Sequence, residues 1–234
     1  MRGFFLGAYV VASVLLSCHS EPDFSPIPYV QPLDLALIPG EPGFPDSLRL
    51  KTYVRDGDGN LGDDATLASD PALVFDKKGN KFRPFDDDTT GVIKYRDRKT
   101  LDTLPALGCG HWFLYQTDTV YYVPNSNSFN FIADIYYSPG GSGWAHFDPD
   151  QVFIFPGCNS DMMKTRFPLL SRSFIYGPFD YEAQSSKDGV LTYTIASFAW
   201  RSIFYNKYIK VRFYVVDKAM NHSNIVETDT LFVH

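Results

Sequence analysis

The sequence predicts an all-β chain folded as an antiparallel β-sandwich, and three observations carry that prediction. Apolar and polar residues alternate with period two over several short segments, the spacing of strands with one face in a core and one in water. Tyr and Phe, at 15 and 20 residues, dominate an aromatic content of 16%, and such side chains fit pleated, half-buried surfaces. Gly, Pro, Asn and Asp punctuate the segments, and long apolar stripes of helical period are missing.

The chain begins with Met1-Arg2 and an uncharged apolar run from Gly3 to Leu16. That run has the length of a signal-peptide core and falls short of the ~20 residues of a membrane span. Small Ser17 then precedes Cys18. Leu15-Leu16-Ser17-Cys18 resembles the lipobox of bacterial lipoproteins. The resemblance implies cleavage of residues 1–17, diacylation of Cys18, and a protein held on the bacterial outer membrane by its N-terminal lipid. Each buried methylene contributes ~0.8 kcal/mol, so two or three acyl chains hold stably where one does not. Residues 18–45 are expected to be a tether, because Pro22, Pro26, Pro28, Pro32, Pro39, Pro42 and Pro45 favour extended backbone and oppose helix.

Residues 46–234 hold the β-sandwich, either as one region or as two sub-domains, 46–115 and 116–234, the second of them immunoglobulin-like. Leu48, Leu50, Thr52 and Val54 share one face, with Arg49, Lys51, Tyr53 and Arg55 on the other. Leu73–Phe75 and Lys81–Arg83 flank the turn-forming Asp76–Asn80 and read as a hairpin. Further strands are expected at Thr119–Val123, Ser128–Tyr137, Gln151–Phe155, Gly189–Ser197, Tyr208–Val216 and Ile225–Val233. Helix is limited to a turn or two at Lys94–Leu104 or Asp161–Arg166.

Two segments echo each other. Tyr53-Val54-Arg55-Asp56 and Tyr214-Val215-Val216-Asp217 each end a strand in Asp, with Asn60 and Asn221 four positions on. Asp and Asn side chains bond the backbone of their own turns, so the echo reads as two turns of one design or as two related sandwiches. The second instance runs through Ser223-Asn224 into a final strand and resembles the hairpin that closes bacterial immunoglobulin-like and fibronectin-type modules. With Arg166-Phe167-Pro168 after Cys158, the set is similar to uncharacterised lipoproteins of the Bacteroidota. That likeness implies an immunoglobulin-like sandwich and an envelope location, and no particular activity.

The sharpest chemical motif is Asp56-Gly57-Asp58-Gly59-Asn60-Leu61-Gly62-Asp63. Oxygen donors at every second residue suit a loop that wraps calcium. It resembles the start of an EF-hand loop but has Leu61 at the sharp-turn Gly and Leu67 at the bidentate acid, so an EF-hand is ruled out. What remains is a looser calcium site on Asp56, Asp58, Asn60 and Asp63, or a turn whose side chains bond their own backbone. Asp86-Asp87-Asp88 reads as a solvated acidic loop. With Cys18 assigned to lipid, Cys109 and Cys158 form an even pair in a compartment that permits disulfides. A bridge would close a loop of ~50 residues and contribute roughly 4 kcal/mol.

No Gly-x-Ser-x-Gly elbow accompanies His146-Phe147-Asp148, and no histidine pair has zinc-ligand spacing. The expectation is therefore a non-catalytic binding module, with a hydrolase as the lesser alternative. Its partners would be an envelope protein or a glycan, met by loop aromatics such as Trp144 after Pro139–Gly143, or Trp112 near Cys109. A net charge of −6 without basic runs argues against nucleic acid.

Overall fold

The structure, a computed structural model, describes residues 24–62, 72–75, 77–78, 81–82, 91–100, 104, 111–115, 118–149 and 163–234. It is mostly antiparallel β-sheet in a sandwich. The strands are β1 (Tyr29–Ile38), β2 (Asp46–Arg55), β3 (Ala72–Phe75), β4 (Lys81–Phe82), β5 (Trp112–Tyr115), β6 (Asp118–Pro124), β7 (Phe131–Ser138), β8 (Ala145–His146), β9 (Lys164–Thr165), β10 (Phe174–Tyr176), β11 (Phe179–Ala183), β12 (Asp188–Ser197), β13 (Lys207–Val215), β14 (Val226–Glu227) and β15 (Leu231–Val233), with a short helix α1 (Trp200–Phe204) before β13.

One sheet runs β1-β2-β12-β11-β10, and the facing sheet runs β14-β13-β7-β8 with β15 on β13 and β9 on β7. The two orders are compatible with the immunoglobulin arrangement, in which strands A-B-E-D face G-F-C. Alternation explains how the sheets close on each other. Leu48, Leu50, Thr52 and Val54 of β2 are buried, as are Ile209, Val211, Phe213 and Val215 of β13. Thr52 is the polar exception, and its hydroxyl donates to Gln31 O at 2.9 Å, which removes most of the cost of burying it.

Aromatic rings join the sheets at the centre. Phe131 of β7 stacks on Phe213 at 5.8 Å between centroids and meets Tyr193 of β12 at 4.8 Å and Phe179 of β11 at 5.7 Å. At one edge of this core, Trp200 stacks on Phe204 at 5.8 Å and Phe147 packs edge-on against both. Trp200 and Phe204 are four residues apart and therefore share one face of α1. The indole N–H of Trp200 donates to Ile195 O at 3.0 Å.

The structure departs from the sequence expectation at both ends of the sandwich sequence. Tyr29–Ile38, placed in the tether, is a strand paired along β2. Prolines suit an edge strand, which has one row of N–H groups outside the ladder, and the register of β1 shifts between Pro32 and Asp34. Asn224 ties β1 to the far end of the chain: Val30 N donates to its Oδ1 and its Nδ2 donates to Val30 O, both at 2.9 Å. The expected final strand is split into β14 and β15. Thr228 intervenes, its hydroxyl accepting from Val211 N at 3.0 Å where a ladder carbonyl would otherwise stand. The expected strand at 151–155 lies outside the described residues.

Between β2 and β7 the chain builds a separate four-stranded sheet, β4-β3-β6-β5. The β5–β6 pair straddles position 115, and β2 belongs to the main sandwich through β12. Val74, Val92 and Val120 form its small core with Tyr122 against them. The turn of 3-10 helix at Tyr95–Lys99 stands where a turn was expected. Lys94, nearly buried, is paired with Asp118, whose carboxyl that hydrogen bond holds below the usual range.

Phe131 is fully buried and Ile175 is 84% exposed. Phe131→Ala is expected to cost about 3–5 kcal/mol in urea unfolding, and Ile175→Ala no more than about 0.5 kcal/mol.

Candidate metal centre

β2 and β13 both end at the pole where the chain enters β1. Tyr29 pairs with Arg55 at the last residue of β2, and Val30 is bonded to Asn224 beyond the end of β13. The two echoed turns therefore sit at one end of the sandwich.

The first turn is held from three sides. Asp56 N donates to Lys187 O at 2.8 Å and Gly57 N to Ser25 O at 2.9 Å. A Cβ on Gly57 would lie 2.0 Å from Phe24 O, so this approach of two backbones requires glycine. Asp58 accepts from Asn60 N on Oδ1 at 3.3 Å and from Asn60 Nδ2 on Oδ2 at 2.7 Å. Asp56 Oδ2 accepts from Leu61 N at 2.7 Å. Leu61 is buried, and its carbonyl accepts from Leu170 N at 2.9 Å, which docks the turn on the Arg166–Leu170 segment. Phe167 in that segment is bonded in both directions to Asn130, with each bond 2.8 Å long.

The second turn repeats the device. Asp217 accepts from Asn221 N on Oδ1 at 2.7 Å and from Asn221 Nδ2 on Oδ2 at 2.8 Å. Met220 takes the left-handed conformation, φ +64, to close it. Ser223 continues the hairpin, accepting from Val215 N on its hydroxyl at 3.0 Å.

The consequence is a convergence of acids. Asp56, Asp58 and Asp217 each present a carboxylate oxygen, and the three oxygens lie within 4.8 Å of one another. Asp56 and Asp217 are 3% and 4% exposed, and Asp58 is exposed. Asp56 Oδ1 and Asn60 Oδ1 are buried and have no hydrogen-bond partner. Burial, and after it the charge of Asp58, push the Asp56 carboxyl up to about 6, against the opposing pull of the Leu61 N–H. Such a donor set is entirely oxygen, which suits hard cations and not zinc.

Of the residues singled out in the sequence, Asp56, Asp58 and Asn60 stand in this turn, whereas Asp63, Asp86, Asp87, Asp88, Cys18, Cys109 and Cys158 lie outside the described residues. Asp217 was legible only through the echo with Asp56. Trp112 is buried in the small sheet, edge-on to Tyr95 at 5.2 Å and Tyr121 at 5.4 Å, so it has little ring surface to offer a ligand. Trp144 is half-buried, with Lys210 Nζ 4.7 Å from its ring centroid. His146 Nε2 lies 3.2 Å from Asp134 Oδ1, both exposed, while Phe147 beside it is buried.

A groove at the opposite pole carried no signal in the sequence. It measures about 620 Å³ and is lined by Phe44, Phe198 and Tyr205 around Arg201 and Asp46. The three rings are 69%, 73% and 60% exposed. Arg201 Nε lies 3.2 Å from Asp46 Oδ2.

Two glycines test the docking of the first turn. Gly62 has φ +112, and a Cβ there would lie 2.3 Å from Pro168 O, whereas Gly59, at φ +69, faces open space. Gly59→Ala is expected to cost about 1–2 kcal/mol from the left-handed backbone alone. Gly62→Ala should lower the urea midpoint further, because the turn must also leave Pro168.

No protein family matches this chain, and no curated protein or solved structure matches it either.

Proposed function

We propose that this chain is a lipid-anchored, extracytoplasmic interaction module of the bacterial envelope, of the Bacteroidota lipoprotein kind, which binds a partner without catalysing a reaction. Its body on this reading is an immunoglobulin-like sandwich joined to the outer membrane through Cys18. The observation that carries the binding role is the groove of Phe44, Phe198 and Tyr205 around the Arg201–Asp46 pair. Exposed aromatic rings clustered with an arginine are what recognition surfaces concentrate.

Polarity of the sandwich supports the same reading. β1 runs from Tyr29 to Ile38, ten residues or roughly 33 Å of strand. It begins at the pole nearest Cys18 in sequence and ends beside Pro39 and Gly40 of the groove. The span from Cys18 to Tyr29 reaches roughly 40 Å at most. On this reading the anchor joins one pole and the groove lies at the other, a strand length away. Among the described residues no helix is long and apolar enough to cross a membrane.

A glycan-binding form of this reading is favoured by the groove's mixture of open rings and a hydrogen-bonding charged pair, which can stack on a sugar face and bond its hydroxyls. Calcium as a stabilising ion belongs to the anchored pole.

Two measurements test the proposal. Cys18→Ser is expected to move the protein from the detergent phase to the aqueous phase on phase partition; unchanged partition would refute the anchor. Full-length protein screened on a glycan array and by crosslinking in the envelope should capture a ligand that Tyr205→Ala and Phe198→Ala weaken about tenfold or more. Capture indifferent to both substitutions would show that the groove is not the binding surface.

A further inference from the structure

We infer that Asp56, Asp58 and Asp217 form a site for one divalent cation of the calcium class, which clamps the turn after β2 to the turn after β13. Ligands on one calcium ion sit at about 2.3–2.6 Å, so any two lie no more than about 5 Å apart. The three carboxylate oxygens meet that limit at 4.8 Å.

The second observation is independent of the acidic cluster. Asp56 is 3% exposed, its Oδ2 is used by Leu61 N, and its Oδ1 is buried with no hydrogen-bond partner. A buried carboxylate oxygen without a donor is costly in a folded protein unless a charge meets it. Asn60 Oδ1 is a second unpartnered buried oxygen in the same turn, on the amide whose Nδ2 holds Asp58. Asp217 spends one hydrogen bond on each oxygen, and a carboxylate has about four lone-pair sites, so it retains capacity for a metal.

The donor chemistry selects the ion. Carboxylates, with an amide oxygen beside them, are hard ligands. They come from two separate turns and leave one side open through exposed Asp58, so water completes the shell. Calcium accepts six to eight oxygens in flexible geometry, while magnesium demands a near-ideal octahedron. The motif's alternate spacing supplies two of the acids, and the fold supplies the third from 161 residues further on. The ion's position also gives it a use: Gly57, beside Asp56, is bonded to Ser25, so the clamp stiffens the pole at which the chain enters the sandwich. The inference is independent of the groove and of its ligand.

The test uses full-length protein stripped with chelator and titrated with calcium chloride, then with magnesium chloride. Calorimetry is expected to show one calcium per chain, with affinity in the range of extracellular modules, roughly 10⁻⁴–10⁻³ M or tighter. The melting midpoint should rise with calcium and much less with magnesium. Asp58→Asn, at an exposed position, keeps the fold and should weaken calcium about tenfold. Asp217→Asn should do the same although it stands on a different hairpin. No calcium heat together with an unchanged midpoint would overturn the site, as would wild-type affinity in a folded Asp217→Asn. A glycan-array result has no bearing on either outcome.

Discussion

The structure depends on one packing constraint: β2 and β13 bury alternate side chains in a common core from opposite sheets, and both strands finish at the same pole. Facing sheets pack about 10 Å apart. That distance is short enough for side chains just past the two strand ends to meet. Asp56 and Asp217 do meet, and neither turn would be buried if either strand stopped a residue early or slipped by one. A one-residue slip would also turn Leu48, Leu50 and Val54 outward. The apolar pattern that closes the sandwich is therefore the same pattern that places the acids.

Two kinds of interaction share the work along the sandwich. The centre is aromatic, with Phe131 touching Phe179, Tyr193 and Phe213, and Phe179 stacked on Tyr193, and burial of that area is the main source of stability. The pole where the chain enters β1 is polar. There Asn224, Asn130, Asp217 and Asp56 satisfy backbone groups that no ladder reaches. Buried anions raise the energy of that pole: the upward shift of the Asp56 carboxyl to about 6 expresses it. In that state a proton favours folding, since the folded group holds it more tightly than the unfolded one; the contribution is complete below the unfolded value and fades as pH rises through about 6. A bound cation would serve the same end at neutral pH.

The parts of this fold that were legible in the sequence are those where one physical signal dominates. β2 and β13 are long, strictly alternating and flanked by turn residues, and β3 with β4 announces itself by its Lys-Lys-Gly-Asn turn. β1 was hidden because prolines argue for a tether, and only its edge position makes them tolerable. α1 was hidden because five residues carry no periodicity, and its two anchors, Trp200 and Phe204, look equally well placed in a strand. β10 and β11 are short, three and five residues, and are parted by Gly177-Pro178. The acidic motif was visible in one dimension, but its third acid was not: in the sequence Asp217 is marked out only by ending a strand with an Asn four positions on, as Asp56 does. The groove of Phe44, Phe198 and Tyr205 could not be foreseen, since its rings come from three separate loop regions that meet only when the sheets pack.

Asp56 and Asp217 are neighbours because their strands close one sandwich. A double-mutant cycle of Asp56→Asn and Asp217→Asn, followed by urea unfolding in chelator, tests this most directly. Each substitution relieves repulsion that the other also relieves. Non-additive effects are therefore expected, with a coupling of about 0.5 kcal/mol or more. Effects that add to within about 0.3 kcal/mol would place the two acids apart and contradict their being neighbours.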